Sequence, residues 1–247
     1  MDQIAILSDV HGNLHALEAV LADIRRRGIE IIYCLGDLVG KGPRGAEVVD
    51  LCRETCTKIV RGNWDSGMAQ PQTIPDIQWY QRQLGKERCQ YLGNLPNTID
   101  FTLSGKRVRL FHASHISENH RIQQRAPEAE RAQMFSNTDF TGFGLEPPTI
   151  VGYGDIHDAY VTTMFNDPKI LFNAGSAGNP LDVPLATYVV MHGHLECDKA
   201  GFSIEIVRLD YDVEGAIADA AAMNMPQLEP YAIELRTGLY RGMQNQT

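Results

Sequence analysis

Three short apolar runs, each cut off by a residue able to hold a metal ion, constrain this chain more than any other feature. Ile4-Ala5-Ile6-Leu7 runs into Ser8-Asp9-Val10-His11, Ile31-Ile32-Tyr33-Cys34-Leu35 into Gly36-Asp37, and Thr57 to Val60 into Gly62-Asn63. Unbroken apolar runs of this length mark strands buried on both faces. Between the first two, Leu14, Leu17, Val20, Leu21 and Ile24 recur at helical spacing. That helix ends at Arg25-Arg26-Arg27-Gly28, basic residues in the last turn followed by a glycine stop. A second helix is expected from about Ala46 to Cys52. Strand, helix, strand, helix, strand implies parallel pairing with right-handed crossovers. Open α/β sheets of this kind take their ligands at the carboxyl ends of the strands, which is where Asp9, His11, Asp37 and Asn63 fall.

Beyond Asp65 the pattern stays helical but less regular to about Pro96, around Ile77, Trp79, Tyr80, Leu84, Tyr91 and Leu92. Thr98–Leu103 and Lys106–Phe111 flank Ser104-Gly105 as a hairpin. Asn119 to Met134 is polar and reads as a loop, then a surface helix starting after Pro127. Strand patterns return at Thr149–Tyr153, Tyr160–Phe165, Ile170–Phe172, Thr187–His192 and Phe202–Leu209, and Ala216–Met223 is helical. No linker or repeat divides the chain, so residues 1–247 are expected to form one domain, an α/β half followed by a mostly β half, with a helical cap-like region at about 65–96.

Composition narrows the function classes. With 43% hydrophobic and 21% charged residues the chain is not disordered. It lacks the roughly 18-residue apolar window of a membrane span, and its start has no basic segment of a signal peptide, so a cytoplasmic protein is expected. A net charge of −9 argues against general affinity for nucleic acid or anionic membranes. It does not exclude a phosphate ligand, because bound cations can invert the field within one pocket. Cysteines 34, 52, 56, 89 and 197 are scattered, with no C-x-x-C pair, and read as reduced thiols.

Later strands add to the early set: His112 ends the strand Lys106–Phe111, and Asp155 and His157 follow Thr149–Tyr153. Asp9, His11, Asp37, Asn63, His112, Asp155 and His157 together are too many for one tetrahedral ion and suit two ions sharing a carboxylate. Ser8-Asp9-Val10-His11-Gly12-Asn13, Gly36-Asp37-Leu38-Val39, Gly62-Asn63-Trp64-Asp65, His112 and Gly154-Asp155-Ile156-His157 resemble, in order, the motifs of the calcineurin-like metallophosphoesterase superfamily. The segment Asn173-Ala174-Gly175-Ser176-Ala177-Gly178-Asn179-Pro180 resembles the glycine-rich loop of its small bacterial and archaeal phosphodiesterase branch.

The resemblance implies a four-layer α/β/β/α sandwich of two mixed sheets flanked by helices, with a dinuclear centre between them. It assigns Asp9, His11 and His157 to the first metal, Asp37 to the bridge, and Asn63, His112 and position 155 to the second. Two divalent ions (Mn, Fe, Zn or Ni) are implied, with Mn favoured because Asp155, standing where the family has histidine, makes the second site harder. Such a pair, about 3.5–4 Å apart, polarises a shared hydroxide for in-line attack on phosphorus, with Asp37 and Asn63 as catalytic residues.

Trp64 is the second departure, in a place where many relatives carry a histidine acid. Acid help is typically worth about 10²- to 10⁴-fold, and indole cannot give it. His115 and His120 in the following loop are the candidates to stand in for it, His120 first. Asn13, Asn63, His115 and Arg121 are candidate phosphate contacts. The expected activity is a phosphodiesterase acting on small or nucleotide-like phosphodiesters. A phosphomonoesterase or phosphoprotein phosphatase is the alternative in the same class, and a non-catalytic scaffold, like the retromer subunit that keeps this fold, the alternative outside it. His192-Gly193-His194 reads as a solvated hairpin end, Gly40-Lys41-Gly42-Pro43 as a structural loop lacking the phosphate-loop frame, and Trp79, Tyr80 and Tyr91 as helix packing.

Overall fold

A computed structural model describes residues 1–165 and 167–246, with side chains described as far as residue 243. In chain order the elements are β1 (Asp2–Leu7), α1 (Leu14–Arg26), β2 (Ile31–Cys34), α2 (Gly45–Thr55), β3 (Lys58–Ile59), α3 (Asn63–Met68), α4 (Pro75–Gly93), β4 (Thr98–Leu103) and β5 (Lys106–Phe111). There follow α5 (Glu128–Gln133), β6 (Ile150–Tyr153), β7 (Tyr160–Thr163), β8 (Ile170–Asn173), β9 (Ala186–Gly193), β10 (Ser203–Leu209), α6 (Val213–Ala222), α7 (Leu228–Thr237) and a 3-10 turn, Arg241–Gln246.

These strands make two five-stranded mixed sheets, ordered β10-β9-β1-β2-β3 and β4-β5-β6-β8-β7. In the first, β1 pairs in parallel with β2 (Ile4 opposite Ile31) and antiparallel with β9 (Ile4 opposite Met191). The second contains the hairpin expected around Ser104-Gly105, and β5, β6 and β8 run parallel.

The apolar run of β1 is explained by what lies on its two faces. Ile4 and Ile6 point between the sheets, with Tyr33, Leu35, Leu110, Phe172, Val189 and Met191. Ala5 and Leu7 point outward against α1, α2, α4, α6 and α7, through residues such as Leu17, Val48, Leu84, Ala220 and Leu235. A strand covered on both sides has no face to leave polar. The outer face of the second sheet is covered by Ile122, Met134 and Phe135, from the long connection that carries α5, packed on Phe111, Val151, Tyr153 and Leu171.

Two details differ from the sequence reading. The third strand is only Lys58–Ile59, extended by Val60, whose N–H donates to the Cys34 carbonyl at 2.9 Å. The later strands do not form a half of their own, because β9 and β10 return to the first sheet. An antiparallel edge added to a parallel core is a long-range pairing that local patterning does not encode. Among the described residues no helix is long and apolar enough to cross a membrane.

Candidate functional site

The carboxyl ends of β1, β2, β5 and β6 meet at one end of the layer between the sheets. There Asp9, His11, Asp37, His112, Asp155 and His157 are all buried. Asp9, His11, Asp37, Asp155 and His157 adopt left-handed backbone, with φ of 53°, 51°, 52°, 64° and 58°. For residues other than glycine this is strained, by about 1–3 kcal/mol each, and such strain collects at functional sites. Close backbone approach holds the turns in place. A Cβ at Gly62 would lie 2.1 Å from Asp37 Oδ1, so the third strand end can press on the second only through a glycine. Asp65 completes the frame: its carboxylate accepts the N–H groups of Asp37 (2.8 Å), Leu38 (3.0 Å) and Gly62 (2.9 Å).

The histidines declare their tautomers. His11 Nδ1 donates to the Val39 carbonyl at 3.1 Å, His112 Nδ1 to the Leu35 carbonyl at 2.8 Å, and His157 Nδ1 to the Asn179 carbonyl. A carbonyl can only accept, so each Nδ1 carries a hydrogen and, in the neutral ring, each Nε2 presents a lone pair, the arrangement that orients histidine toward a metal. The Nε2 atoms of His11 and His157 face each other at 3.1 Å. Asp9 Oδ1, buried and without a hydrogen-bond partner, lies 3.2 Å from His157 Nε2 and 3.7 Å from His11 Nε2. Its other oxygen is occupied by Ser8 Oγ (2.6 Å) and the Asp155 N–H (3.0 Å).

Among the described residues two groups bring donor atoms within 4.8 Å of one another: Asp9, His11 and His157, and Asp9, Asp37 and His112. Asp37 Oδ2 lies between them, 3.7 Å from His11 Nε2 and 3.6 Å from His112 Nε2. Asn63 Oδ1 adds an oxygen 3.0 Å from His112 Nε2. Lone pairs and carboxylates at these separations repel unless a cation lies among them, so the donor set fits divalent metal.

The charges agree. Burial, with the Asp9 and Asp65 charges, raises the Asp37 carboxyl well above its ordinary range. Burial pushes the Asp9 carboxyl up as well, but His157, His112 and His11 outweigh it and hold it below that range. His11 is lowered well below normal by burial, Lys41 and His157. Burial works against charge on His112 too, yet Asp37, Asp9 and Asp155 push it up to about 9. The field that draws a proton to this nitrogen would draw a metal ion equally.

A cleft of about 520 Å³ opens over the cluster, lined by His11, Asp37, Asn63, Asp155 and His157, with Lys41, Trp64, Arg121, Tyr240, Arg241 and Met243 on its walls. Several candidates from sequence occupy other roles. Asp155 reaches the cleft, but Arg121 binds both its oxygens at 2.7 Å, and it belongs to neither donor group. Arg121, expected on phosphate, is therefore engaged by Asp155. The Asn13 amide is spent locally: Oδ1 caps α1 through the Ala16 N–H, and Nδ2 donates to the Gly178 carbonyl at 2.8 Å. His115 and His120 do not line the cleft; His120 Nδ1 pairs with Ser114 Oγ at 3.0 Å. His192 bonds Gln3 and Glu205 on the first sheet, away from the centre.

Sequence reading missed Lys41, Asn179, Glu234 and the C-terminal wall. Lys41 Nζ donates to Asn179 Oδ1 at 2.8 Å, and Asn179 Nδ2 to Glu234 Oε2 at 3.2 Å. Burial lowers the Lys41 ammonium to about 8. Its one sequence signal was a lysine between two glycines just after Asp37.

Residues 3–194 match the family description calcineurin-like phosphoesterase superfamily domain. An uncharacterised protein of Methanocaldococcus jannaschii is 32% identical over 246 residues, covering 91% of this chain and 94% of that protein. Phosphodiesterase YfcE of Escherichia coli is 35% identical over 103 residues, but these are 36% of this chain and only 54% of YfcE. A crystal structure of a metallophosphoesterase from Sphaerobacter thermophilus superposes with a TM-score of 0.75 at 25% identity, covering 96% of this chain and 99% of that one. A hypothetical protein of Pyrococcus horikoshii shares the fold, at TM-score 0.75 and 18% identity, over 97% of this chain and 100% of that one.

Proposed function

Because the chain belongs to the calcineurin-like phosphoesterase superfamily, we propose that it is a metal-dependent phosphodiesterase acting on small or nucleotide-like phosphodiesters. The observation that carries this reading is the convergence of two Nε2 lone pairs, those of His11 and His157, upon the unpartnered Asp9 Oδ1, with that of His112 beside Asp37 Oδ2 and all three Nδ1 hydrogens spent on carbonyls. In the proposed centre Asp9, His11 and His157 hold one divalent cation, Asn63 and His112 a second, and Asp37 Oδ2 faces both. Asp155 in this reading holds Arg121 rather than an ion. The oxygen donors Asp9, Asp37 and Asn63 favour Mn²⁺ among the ions such a site accepts.

When bound, such a cation pair neutralises phosphoryl oxygens and activates water for in-line attack. The protein's own part is to hold the donors still and keep the phosphate oriented. Asn63 can hydrogen-bond a phosphoryl oxygen without adding negative charge beside it. Trp64 gives the wall an indole that cannot protonate a leaving group, which favours diesters with stable leaving groups over alkyl phosphates. The similarity to YfcE, a phosphodiesterase, supports the same direction.

The test compares bis-p-nitrophenyl phosphate with p-nitrophenyl phosphate in the presence of Mn²⁺, with Asp37→Asn and His112→Ala as controls. The expected result is faster turnover of the diester, abolished in both variants. Faster monoester turnover makes the protein a phosphomonoesterase. Equal rates in wild type and variants, together with no bound transition metal by elemental analysis, would leave a non-catalytic scaffold.

A further inference from the structure

The cleft over the centre is larger than a phosphate needs. Its volume of about 520 Å³ falls in the range of pockets that enclose drug-sized ligands, so an organic group has room beside the donor cluster. The walls that would meet such a group are of two kinds. Some are flat or apolar: the Trp64 indole, the Tyr240 ring and the Met243 thioether. Tyr240 and Met243 are 45% and 52% exposed, and apolar side chains left open together in a groove mark the place of a ligand. Arg121 adds a planar guanidinium. Its bonds to Asp155, from Nε and Nη2, engage only the edge of that plane, and the side chain is 51% exposed. The other walls are polar and unpaired. Gln123 and Asp158 line the same cleft, and among the described residues neither side chain makes a hydrogen bond.

Both aromatic walls are held in place. Gly238, in left-handed backbone at φ 71°, stops α7 and lets the chain turn. Arg241 then fastens the segment: Nε and Nη2 donate to Glu234 at 2.9 and 2.6 Å, and its N–H donates to Glu234 Oε1 at 2.9 Å. Glu234 is fully buried, and its Oε2 accepts from Asn179, whose carbonyl takes the His157 Nδ1 hydrogen. The residue that follows Tyr240 is thereby tied, through one carboxylate and one amide, to a histidine of the centre. The Met243 N–H closes the turn on the Tyr240 carbonyl at 2.8 Å, and the ring rests on Gly242, where a Cβ would lie 2.6 Å from it. Trp64 is fixed as firmly, edge-on to His11 and to Tyr80 with ring centroids 6.1 Å from each. Rings already held need little ordering when a ligand arrives.

Flat faces beside unpaired hydrogen-bonding groups match a nucleobase, which stacks on aromatic rings or guanidinium planes and offers donors and acceptors along its edge. A small alkyl ester group would use neither. We infer that the cleft carries a nucleobase subsite in which Tyr240 is the stacking surface, so that the site prefers nucleoside phosphodiesters to small alkyl ones. The inference rests on the phosphodiesterase reading of the centre, and its test keeps the two apart.

Two diesters with the same leaving group, thymidine 5′-(p-nitrophenyl phosphate) and methyl p-nitrophenyl phosphate, are compared on Mn²⁺-loaded wild type, Tyr240→Ala and Tyr240→Phe. The bond broken is the same in both, and only the group retained on phosphorus differs. Loss of stacking in Tyr240→Ala is expected to raise KM for the thymidine ester by about fivefold to a hundredfold. KM for the methyl ester and the metal content should not change, and Tyr240→Phe should keep wild-type behaviour. Calorimetry with thymidine 5′-monophosphate and methyl phosphate reads the same contrast without turnover.

Thymidine 5′-monophosphate binding no tighter than methyl phosphate, or losing no more than it does in Tyr240→Ala, overturns the inference; hydrolysis of the methyl ester then still upholds the phosphodiesterase reading. Binding that depends on Tyr240, in a protein that hydrolyses neither ester, supports the subsite and discards that reading. A crystal of the wild-type protein grown with manganese and thymidine 5′-monophosphate gives a test independent of any variant. A base within about 4 Å of the Tyr240 ring supports the subsite, and a phosphate at the centre with its base away from Tyr240 overturns it.

Discussion

The layer between the two sheets has a middle and an end built on opposite principles. Its middle is apolar: the side chains of Ile4, Ile6, Leu35, Leu110 and Phe172 are fully buried and pack in one apolar cluster. Its carboxyl end, one to four residues beyond the ends of the same strands, is equally buried yet consists of Asp9, His11, Asp37, His112 and His157, all but His112 on left-handed backbone. The middle contributes stability by taking apolar surface out of water. The end gives stability up, keeping polar atoms together that repel one another until a cation arrives. The comparison teaches that burial by itself says nothing about a residue's role. What separates the two regions is whether the buried atoms satisfy each other.

The largest effect should come at the polar end. Asp37→Asn is expected to abolish Mn²⁺-stimulated diester turnover, since Asp37 Oδ2 faces both donor groups. The same variant should be more stable than wild type when both are stripped of metal. The sign follows from linkage: a carboxyl raised in the folded state contributes stability below its unfolded pKa and loses it as pH rises through the folded value. As pH climbs above the ordinary carboxylate range the metal-free wild type progressively loses that contribution, and the asparagine variant has no such carboxyl to lose. Melting curves with chelator, from pH 5 to 8, should show the gap widening upward; a gap of the opposite sign breaks the comparison.

The apolar middle should behave in the reverse way. Phe172→Ala is expected to cost about 3–5 kcal/mol in denaturant unfolding while leaving metal content per folded molecule intact. Between these extremes lies Asp65, buried but outside the donor groups, whose carboxylate holds three backbone N–H groups of the Asp37 turn. Asp65→Asn must turn an amide N–H toward one of those donors. Metal affinity, by titration against a chelator, should fall by about 10- to 100-fold. The smallest effect belongs to His192→Ala, which removes surface bonds to Gln3 and Glu205. Its stability should shift by no more than about 0.5 kcal/mol, with turnover unchanged; a large loss of activity there would mean that a second site had been overlooked.

Much of the centre was legible before folding because local rules wrote it. Apolar runs ending in Asp9, Asp37 and Asn63 told of parallel strands and of the sheet edge where ligands gather, and the order of the motifs extended that to His112 and His157. The hairpin at Ser104-Gly105 and the helix after Pro127 were readable for the same reason, since turn and cap chemistry acts over a few residues. Illegible were the choices made among distant groups of similar chemistry. Asp155 could serve a metal or an arginine, and Arg121 lies 34 positions away in the chain. Asn13 could contact substrate or cap a helix, and the partner that settles its Nδ2, the Gly178 carbonyl, is 165 positions distant.

Sequence by itself thus determined which residue types stand at strand ends, and so the kind of chemistry this protein can perform. Tertiary structure alone decided which of those side chains have atoms left to offer a ligand. A carboxylate, an amide or an ammonium acts on a ligand only through donors and acceptors its neighbours have not taken, and those neighbours are brought by long-range packing. That is why Gln123 and Asp158, ordinary in the sequence, became prominent only once the fold set them on the cleft wall.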